Sequence, residues 1–400
     1  MASANYRLIV EDDFDRWMHC VGTAFAIEPE GRERMPAFYK RFQLDWTVGA
    51  DIDGEVGSTV TTIPLDMFME GRVVPFGAVT AVTCLPEYRR QGHVGKLLKM
   101  TLELMRERGQ HVGALYTPHA PLYRRYGWEI CSDQVNHEFS SKQFRLRPGS
   151  AEGRLIPAGY ERWQDFEPVY RRYAEGRNGE IVRNKQFWFM AFQGGFEFKP
   201  GISYLWESPT GDFEGFLLVR EQGGTGPGEG NQLNVRHLVA LTPDAQRGLL
   251  QAVLSFDLCD KIRWHCGPED PVLDLIDEPL HVDREIGWKH FLRIVNVPGA
   301  FAQRPAYSSG TVVVEVIDPV CPWNEGTWEM TAAEGSFAVE STATKPDLKL
   351  DANALAQVFA GFRKPSELAR VGRAELSAGD PVRIDEFFRM RYQPYTHDFY

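Results

Sequence analysis

Residues 77–95, GAVTAVTCLPEYRRQGHVG, constrain this chain more than any other stretch. Residues 78–85 are mostly apolar and β-branched and carry no charge, the pattern of a strand covered on both faces. Pro86 stops it. From Val94 the apolar residues switch to helical spacing. Val94, Leu97, Leu98, Thr101, Leu102 and Met105 share one face, and Lys96, Lys99, Glu103 and Arg106 share the other. Gly109 sits where a helix commonly ends. Gly92 and its neighbours would therefore present free backbone N–H groups at a helix N-terminus, beside Arg89 and Arg90. That is an anion site, and a phosphate suits it best. A solvated helix start with two exposed arginines is the alternative that a short glycine motif leaves open.

The order strand, proline, then R-x-x-G-x-[G/A] opening a helix resembles the acetyl-CoA motif of the GNAT acetyltransferases. Val94 stands where Gly or Ala is usual, and in this the chain resembles the Eis (enhanced intracellular survival) branch, which also carries a bulky residue there. Residues 122–128, LYRRYGW, are similar to the family's Y-x-x-x-G-[FYW] pattern. Leu292-Arg293-Ile294-Val295-Asn296-Val297-Pro298, with Leu355-Ala356-Gln357 in a later helix, resembles the opening and late helix of the family's sterol-carrier-like domain.

The 400 residues suggest two or three domains. A strand at 6–10, a helix at 14–26 and a polar stretch at 27–36 are followed by a meander over 46–52, 56–68 and 73–84. A further strand covers 111–116, and one at 135–144 closes the first domain. After a charged linker at 145–152 the spacing predicts helices at 160–175 and 183–193, with Pro168 starting a turn or kinking the first. A hairpin follows around Gly211-Asp212, and the glycine-rich stretch 222–230 forms a loop. The strand at 235–241 and a helix with Thr242 at N-cap and Pro243 at N1, running to 258, repeat the layout of the first domain without its arginine pair and glycine. Strands at 310–317, 326–330 and 336–341 and helices at 352–362 and 367–371 close the chain. The resemblance thus implies an α/β (α+β) chain: two GNAT-like domains in tandem at 1–150 and 151–292, the second without its cofactor site, then a sterol-carrier-protein-like α+β domain at 293–400.

Acetyl transfer from a thioester to an amine needs a held co-substrate, a neutral amine, a donor for the oxyanion and a proton for the departing thiolate. The resemblance implies acetyl-CoA held by the backbone of Val82, Thr83 and Cys84 and by the loop Arg90, Gln91, Gly92, His93, Val94 and Gly95, with Pro118 and His119 also in contact. Tyr123 matches the family's general acid, since its ordinary pKa of about 10 is close to that of an alkyl thiol. Tyr126 is the rival, at a position where the family has a packing aromatic. The family takes its base from the chain's own C-terminal carboxylate, here that of Tyr400. An aromatic tail, THDFY, is expected to dock, and a buried carboxylate becomes a stronger base. An ordinary ordered terminus is the other possibility. Glu28 and Glu30 are candidate partners for a substrate ammonium, or else part of a solvated loop.

The net charge of −11 disfavours nucleic acid as a partner and suits a cationic amine, an aminoglycoside, a polyamine or a lysine side chain. No segment has the length of a membrane span or the core of a signal peptide. Six scattered cysteines suggest a reduced, cytoplasmic protein. Cys259, His265 and Cys266 lack the paired cysteines of a zinc site, so no metal is expected. The resemblance implies a homo-oligomer, a hexamer in the family. The competing function is a lipid- or ligand-binding protein whose third domain acts and whose first is a relic.

Overall fold

The computed structural model describes residues 4–33, 44–193, 201–223, 230–377 and 380–400, with the backbone alone for 288 and 289. Residues 34–36 of the polar stretch and 224–229 of the glycine-rich loop lie outside the described residues.

Strands β1 (Ala4–Leu8), β2 (Thr47–Ile52), β3 (Glu55–Met69) and β4 (Arg72–Cys84) form the expected antiparallel meander. Two-residue turns with positive φ at Asp53 and Glu70 join the last three, which matches the right-handed twist of the strands they connect. Helix α1 (Phe14–Ala24) packs on β3 and β4. Helix α2 (His93–Glu107) lays Leu97, Leu98, Leu102 and Met105 on one face of the sheet, against Val48, Val60 and Val79. On the other face Val74, Phe76 and Ala78 of β4 pack into the core of the C-terminal domain. Alternate residues thus serve two cores, which is why this strand reads as continuously apolar.

β4 runs parallel to β5 (Val112–Tyr116). The short helix α3 (Ala120–Arg124) leads to β6 (Glu129–Ser140). The middle of the chain adds β7 (Arg154–Pro157), β8 (Asn178–Ile181), β9 (Ile202–Glu207), β10 (Phe213–Gln222), β11 (Asn231–Ala240), β12 (Cys259–Cys266) and β13 (Asp283–Ile294). All belong to one sheet, in the order β1-β2-β3-β4-β5-β13-β6-β12-β11-β10-β9-β7, with β8 on β3. β13 returns to lie between β5 and β6, so the middle unit supplies a strand at the centre of the first unit's sheet.

The structure corrects the sequence here: the helix expected to reach 258 ends at Leu254, and Cys259–Cys266 is a strand. Of the two expectations for Pro168, the turn is excluded, since the residue lies inside the helix Trp163–Ala174.

The last unit is a five-stranded sheet ordered β16-β15-β14-β17-β18, comprising β14 (Gly310–Ile317), β15 (Gly326–Ala333), β16 (Ser336–Ser341), β17 (Leu348–Asp351) and β18 (Ala374–Leu376). Its interior is filled by Phe301, Phe337, Phe359, Phe387 and Phe388, packed edge to face. The helix Ala352–Ala360 docks on the first unit. Asn353 donates to the carbonyls of Arg124 and Trp128, and Gln357 donates to that of Ile130.

Candidate active site

The site begins where two parallel strands part. β4 and β5 pair only at Phe76–Val112, Gly77–Gly113 and Ala78–Ala114. Beyond Ala78 the register against β3 slips by one residue between Thr59 and Thr61, and Ala81, with φ +44°, is the extra residue in β4. Such a bulge bends its strand and increases the local twist. Val79 to Cys84 therefore turn away from β5, and their backbone on that side is an unpaired edge facing a wedge. The expected residues Val82, Thr83 and Cys84 form its wall. The chain fixes this wall from behind. Ser58 Oγ donates to the Thr83 carbonyl at 2.6 Å, the Thr59 and Thr83 hydroxyls are 2.6 Å apart, and Arg89 Nε donates to the Cys84 carbonyl at 3.2 Å.

α2 opens at the mouth of this wedge. Gly92 is its N-cap with φ +89°, and Arg90 before it has φ +62°. Intrahelical bonding starts with Lys96 N–H to the Gly92 carbonyl, so the N–H groups of His93, Val94 and Gly95 have no acceptor within the helix. No acidic residue lies in the first turn. His93 is buried. Its Nδ1 shares a hydrogen bond with the Tyr6 hydroxyl at 2.8 Å, and its Nε2 has no partner among the described residues. A free helix terminus, an exposed Arg90 and an unsatisfied buried nitrogen fit a phosphate-bearing ligand. A Cβ at Gly92 would meet nothing within 4 Å, so the space it faces is open. A Cβ at Gly95 would collide with the Tyr126 hydroxyl, which places Tyr126 as the packing aromatic.

Gly92→Val is expected to weaken acetyl-CoA binding about tenfold. The left-handed backbone costs a β-branched residue about 1–2 kcal/mol, so the loop relaxes in the free protein and must be forced back on binding. Calorimetric titration measures this, and an unchanged Kd would move the site elsewhere.

Tyr123 and Tyr400 belong to two different core clusters that both reach β5, Tyr123 with Val79 and Leu115 and Tyr400 with Phe76 and Ala114. Tyr123 is 7% exposed and packs edge to face on Trp128 at 6.3 Å. Burial pushes its phenol up to about 12, while a hydrogen bond with Thr117 pulls the other way. It is thus a weaker acid than the ordinary phenol. Tyr400 is 4% exposed, its ring against Phe76, Tyr116 and His290 and its hydroxyl hydrogen-bonded to His290 Nε2. Burial drives His290 down to about 3, so the ring is neutral at physiological pH. Tyr116, the last residue of β5, donates from its hydroxyl to the Asp398 carbonyl at 2.8 Å. The tail docks, as its aromatic character predicts.

Pro118 and His119 are exposed in the turn after β5, where Thr117 Oγ1 accepts from the His119 N–H at 2.9 Å. Glu28 and Glu30 are also exposed, where a helical turn at 29–33 begins. Ile27 beside them packs into the cluster that contains Ala81, so this segment lies over the bulge.

Two stretches that carry the family resemblance meet in space. Gly127 has φ +85°, and a Cβ there would lie 2.6–2.8 Å from the guanidinium of Arg293, which is itself buried and paired to Asp318 at 2.7 Å. Only glycine fits. The residues that sequence reasoning missed are Tyr116, Thr117 and His290 around the end of β5, and Glu180, Arg183 and His237 behind the tail. Apart from Thr117, whose partners are the nearby His119 and Tyr123, the tail or residues far along the chain hold them, and no local spacing marks them.

The middle unit repeats the wedge. β11 and β12 pair in parallel only as far as Val235–Trp264, and β11 then carries one extra residue, Arg236, against β10. The helix that follows is closed, however. Thr242 Oγ1 accepts from the Ala245 N–H at 3.3 Å and Pro243 occupies N1. Among the described residues no group of three or more His, Cys, Asp or Glu side chains is placed to hold a metal, and no helix is long and apolar enough to cross a membrane. All six cysteines are unpaired.

Residues 5–131 match the family model of an acetyltransferase (GNAT) domain, 179–294 match a second such model, and 297–397 match that of a sterol carrier protein domain. The chain is 26% identical over 387 residues to an uncharacterized N-acetyltransferase of Streptomyces coelicolor, covering 93% of this chain and 94% of that one. It is 24% identical over 343 residues to the N-acetyltransferase Eis of Mycobacterium tuberculosis, covering 81% of each. The crystal structure of Eis1 from Mycobacterium abscessus superposes with a TM-score of 0.84 at 23% identity over the whole of both chains.

Proposed function

We propose, from the premise that this chain belongs to the Eis-like family of GNAT N-acetyltransferases, that it transfers the acetyl group of acetyl-CoA directly to an amine of a cationic, polyamine-like substrate. Acetyltransferase activity follows from the family; the substrate and the mechanism are our reading. The observation that supports it is the open wedge between β4 and β5, with the free N-terminus of α2 at its mouth, Tyr123 hydrogen-bonded to Thr117 just after β5 and Tyr400 packed on Tyr116 at its end.

Bound acetyl-CoA would supply the activated acetyl thioester. Val82, Thr83 and Cys84 offer unpaired backbone to its extended arm and an N–H to the carbonyl oxygen as negative charge develops there. The α2 N-terminus and Arg90 take the pyrophosphate, with Pro118 and His119 alongside. The C-terminal carboxylate of Tyr400 attracts the substrate ammonium and accepts its proton, directly or through water. The neutral amine forms the new C–N bond, the C–S bond breaks, and Tyr123 Oη protonates the departing sulfur; the second proton leaves the new amide nitrogen for solvent, which reprotonates Tyr123. Glu28 and Glu30 widen the negative field on the substrate side. Six unpaired thiols suit a reducing compartment, the cytoplasm, and assembly as a homo-oligomer, a hexamer as in the family, belongs to the same reading.

The test is acetyl-CoA consumption across aminoglycosides, polyamines and basic peptides, with intact-mass analysis of the products. Acetylation confined to hydroxyl or thiol acceptors would refute the amine assignment. Calorimetry should find one acetyl-CoA site per chain, because the capped helix after β11 offers no free N-terminus. Two sites would overturn that.

A further inference from the structure

We propose that the second wedge, between β11 and β12, is the seat that holds the catalytic tail in register. In this view the middle GNAT-like unit binds the chain's own C-terminus where its counterpart binds co-substrate. The inference rests on the reading of the Tyr400 carboxylate as base, and it assigns Glu180 and Arg183 as positioning residues.

The last six residues cross from one wedge to the other. Tyr395 lies at the mouth of the second. Its N–H donates to the Asn178 carbonyl at 2.8 Å, and a Cβ on Gly267, just past the end of β12, would lie 3.2 Å from its ring. Leu238 and Ala240, from the diverging end of β11, line with Tyr395, Glu180 and Tyr173 a cavity of about 140 Å³. Next along the tail, Glu180 accepts twice from His397, from Nδ1 at 2.5 Å and from the backbone N–H at 3.1 Å. Arg183 Nε reaches the Asp398 carboxylate at 2.8 Å, and its Nη2 lies 3.2 Å from Nδ1 of His237, the residue after the bulge in β11. Glu180, Arg183, His237 and Asp398 are buried, and the His397 side chain is 4% exposed. Two residues further on, Tyr400 reaches Tyr116 at the first wedge.

The contacts divide the labour. His397 and Asp398 are gripped by charge-assisted hydrogen bonds with fixed direction, which set the position of the chain along its own length. Tyr400 is held mainly by rings, which tolerate sliding. A terminal carboxylate is useful as a base only at hydrogen-bond distance from its proton, so the grip upstream determines whether the terminus is useful.

The experiment uses the full chain with Glu180→Ala, its conservative counterpart Glu180→Gln, and Gly267→Val, which crowds Tyr395 without touching a charge. Carboxypeptidase release of Tyr400 and Phe399 is followed by intact mass, beside kcat, KM, acetyl-CoA affinity and melting temperature. Wild type should resist trimming. Glu180→Ala and Gly267→Val should be trimmed at least tenfold faster and lose about 10²-fold in kcat, with acetyl-CoA affinity unchanged, and Glu180→Gln should recover most of both. Tails that stay protected in Glu180→Ala and Gly267→Val overturn the seat. If Glu180→Ala does not fold, Gly267→Val alone decides by the same readouts. Fast trimming with full kcat would keep the seat and remove the terminal carboxylate as base.

Discussion

Tyr123→Phe is expected to lower kcat by roughly 10²–10⁴-fold, the range of a lost general acid, while acetyl-CoA affinity stays near that of the wild type. The substitution removes one oxygen and keeps the ring that packs on Trp128, so the α3 corner stays in place. Burial, the cause of the high phenol pKa of about 12, keeps this group protonated throughout the working pH range. No alkaline fall in kcat below about pH 10 should therefore come from Tyr123. The same burial makes proton transfer to a thiolate of ordinary basicity uphill, since an alkyl thiol near the ordinary phenol's value of about 10 is then the stronger acid. Transfer is then favourable only as the sulfur gains charge in a site that excludes water, which raises the basicity of the departing thiolate as well. A variant with near-normal kcat across pH 6–9 would remove Tyr123 as the acid. Tyr126→Phe is the control. Its hydroxyl packs on Gly95, so the expected effect falls on α2 and on co-substrate affinity rather than on kcat.

The parts of this architecture that were legible in the sequence are those with a local cause. The strand, its stop and the helix could be read because β4 is buried on both faces and α2 is amphipathic, and Gly92 because it opens that helix; the bulge at Ala81 could not. The Thr242 cap likewise announces its helix. What stayed hidden depends on partners far away. The stretch 283–290, DREIGWKH, is too polar to read as a central strand; it becomes one because β5 and β6 leave a gap between them. Cys259–Cys266 alternates charged and apolar residues too weakly to outweigh the helix before it. Glu180 and Arg183 sit 217 and 215 residues from the tail groups they bind. The role of Gly127 could be suspected from its pattern, but not that Arg293 is what forbids a side chain there.

Extending the chain by one residue beyond Tyr400 is expected to cost kcat at least as much as the loss of a positioned base, about 10²-fold or more, with folding and acetyl-CoA binding intact. Every side chain of the wild type remains, so the grip on His397 and Asp398 and the rings around Tyr400 still form. Only the free carboxylate moves, by the length of one residue, about 3.3–3.6 Å. That displacement exceeds the tolerance of a hydrogen bond, which weakens beyond about 3.2 Å between heavy atoms. Three causes give three different results. A base at the terminus predicts lost kcat with an unchanged melting temperature. A conventional side-chain base predicts no loss. A tail that serves packing alone predicts a lower melting temperature and kinetics that recover on cooling, because Tyr400 is buried among Phe76, Tyr116 and His290 and an added residue has to be accommodated beside them. Measuring kcat and melting temperature on the same preparation separates these. Full activity in the extended chain would place the base elsewhere and leave the family assignment untouched, since that rests on the domains and the wedge rather than on the terminus.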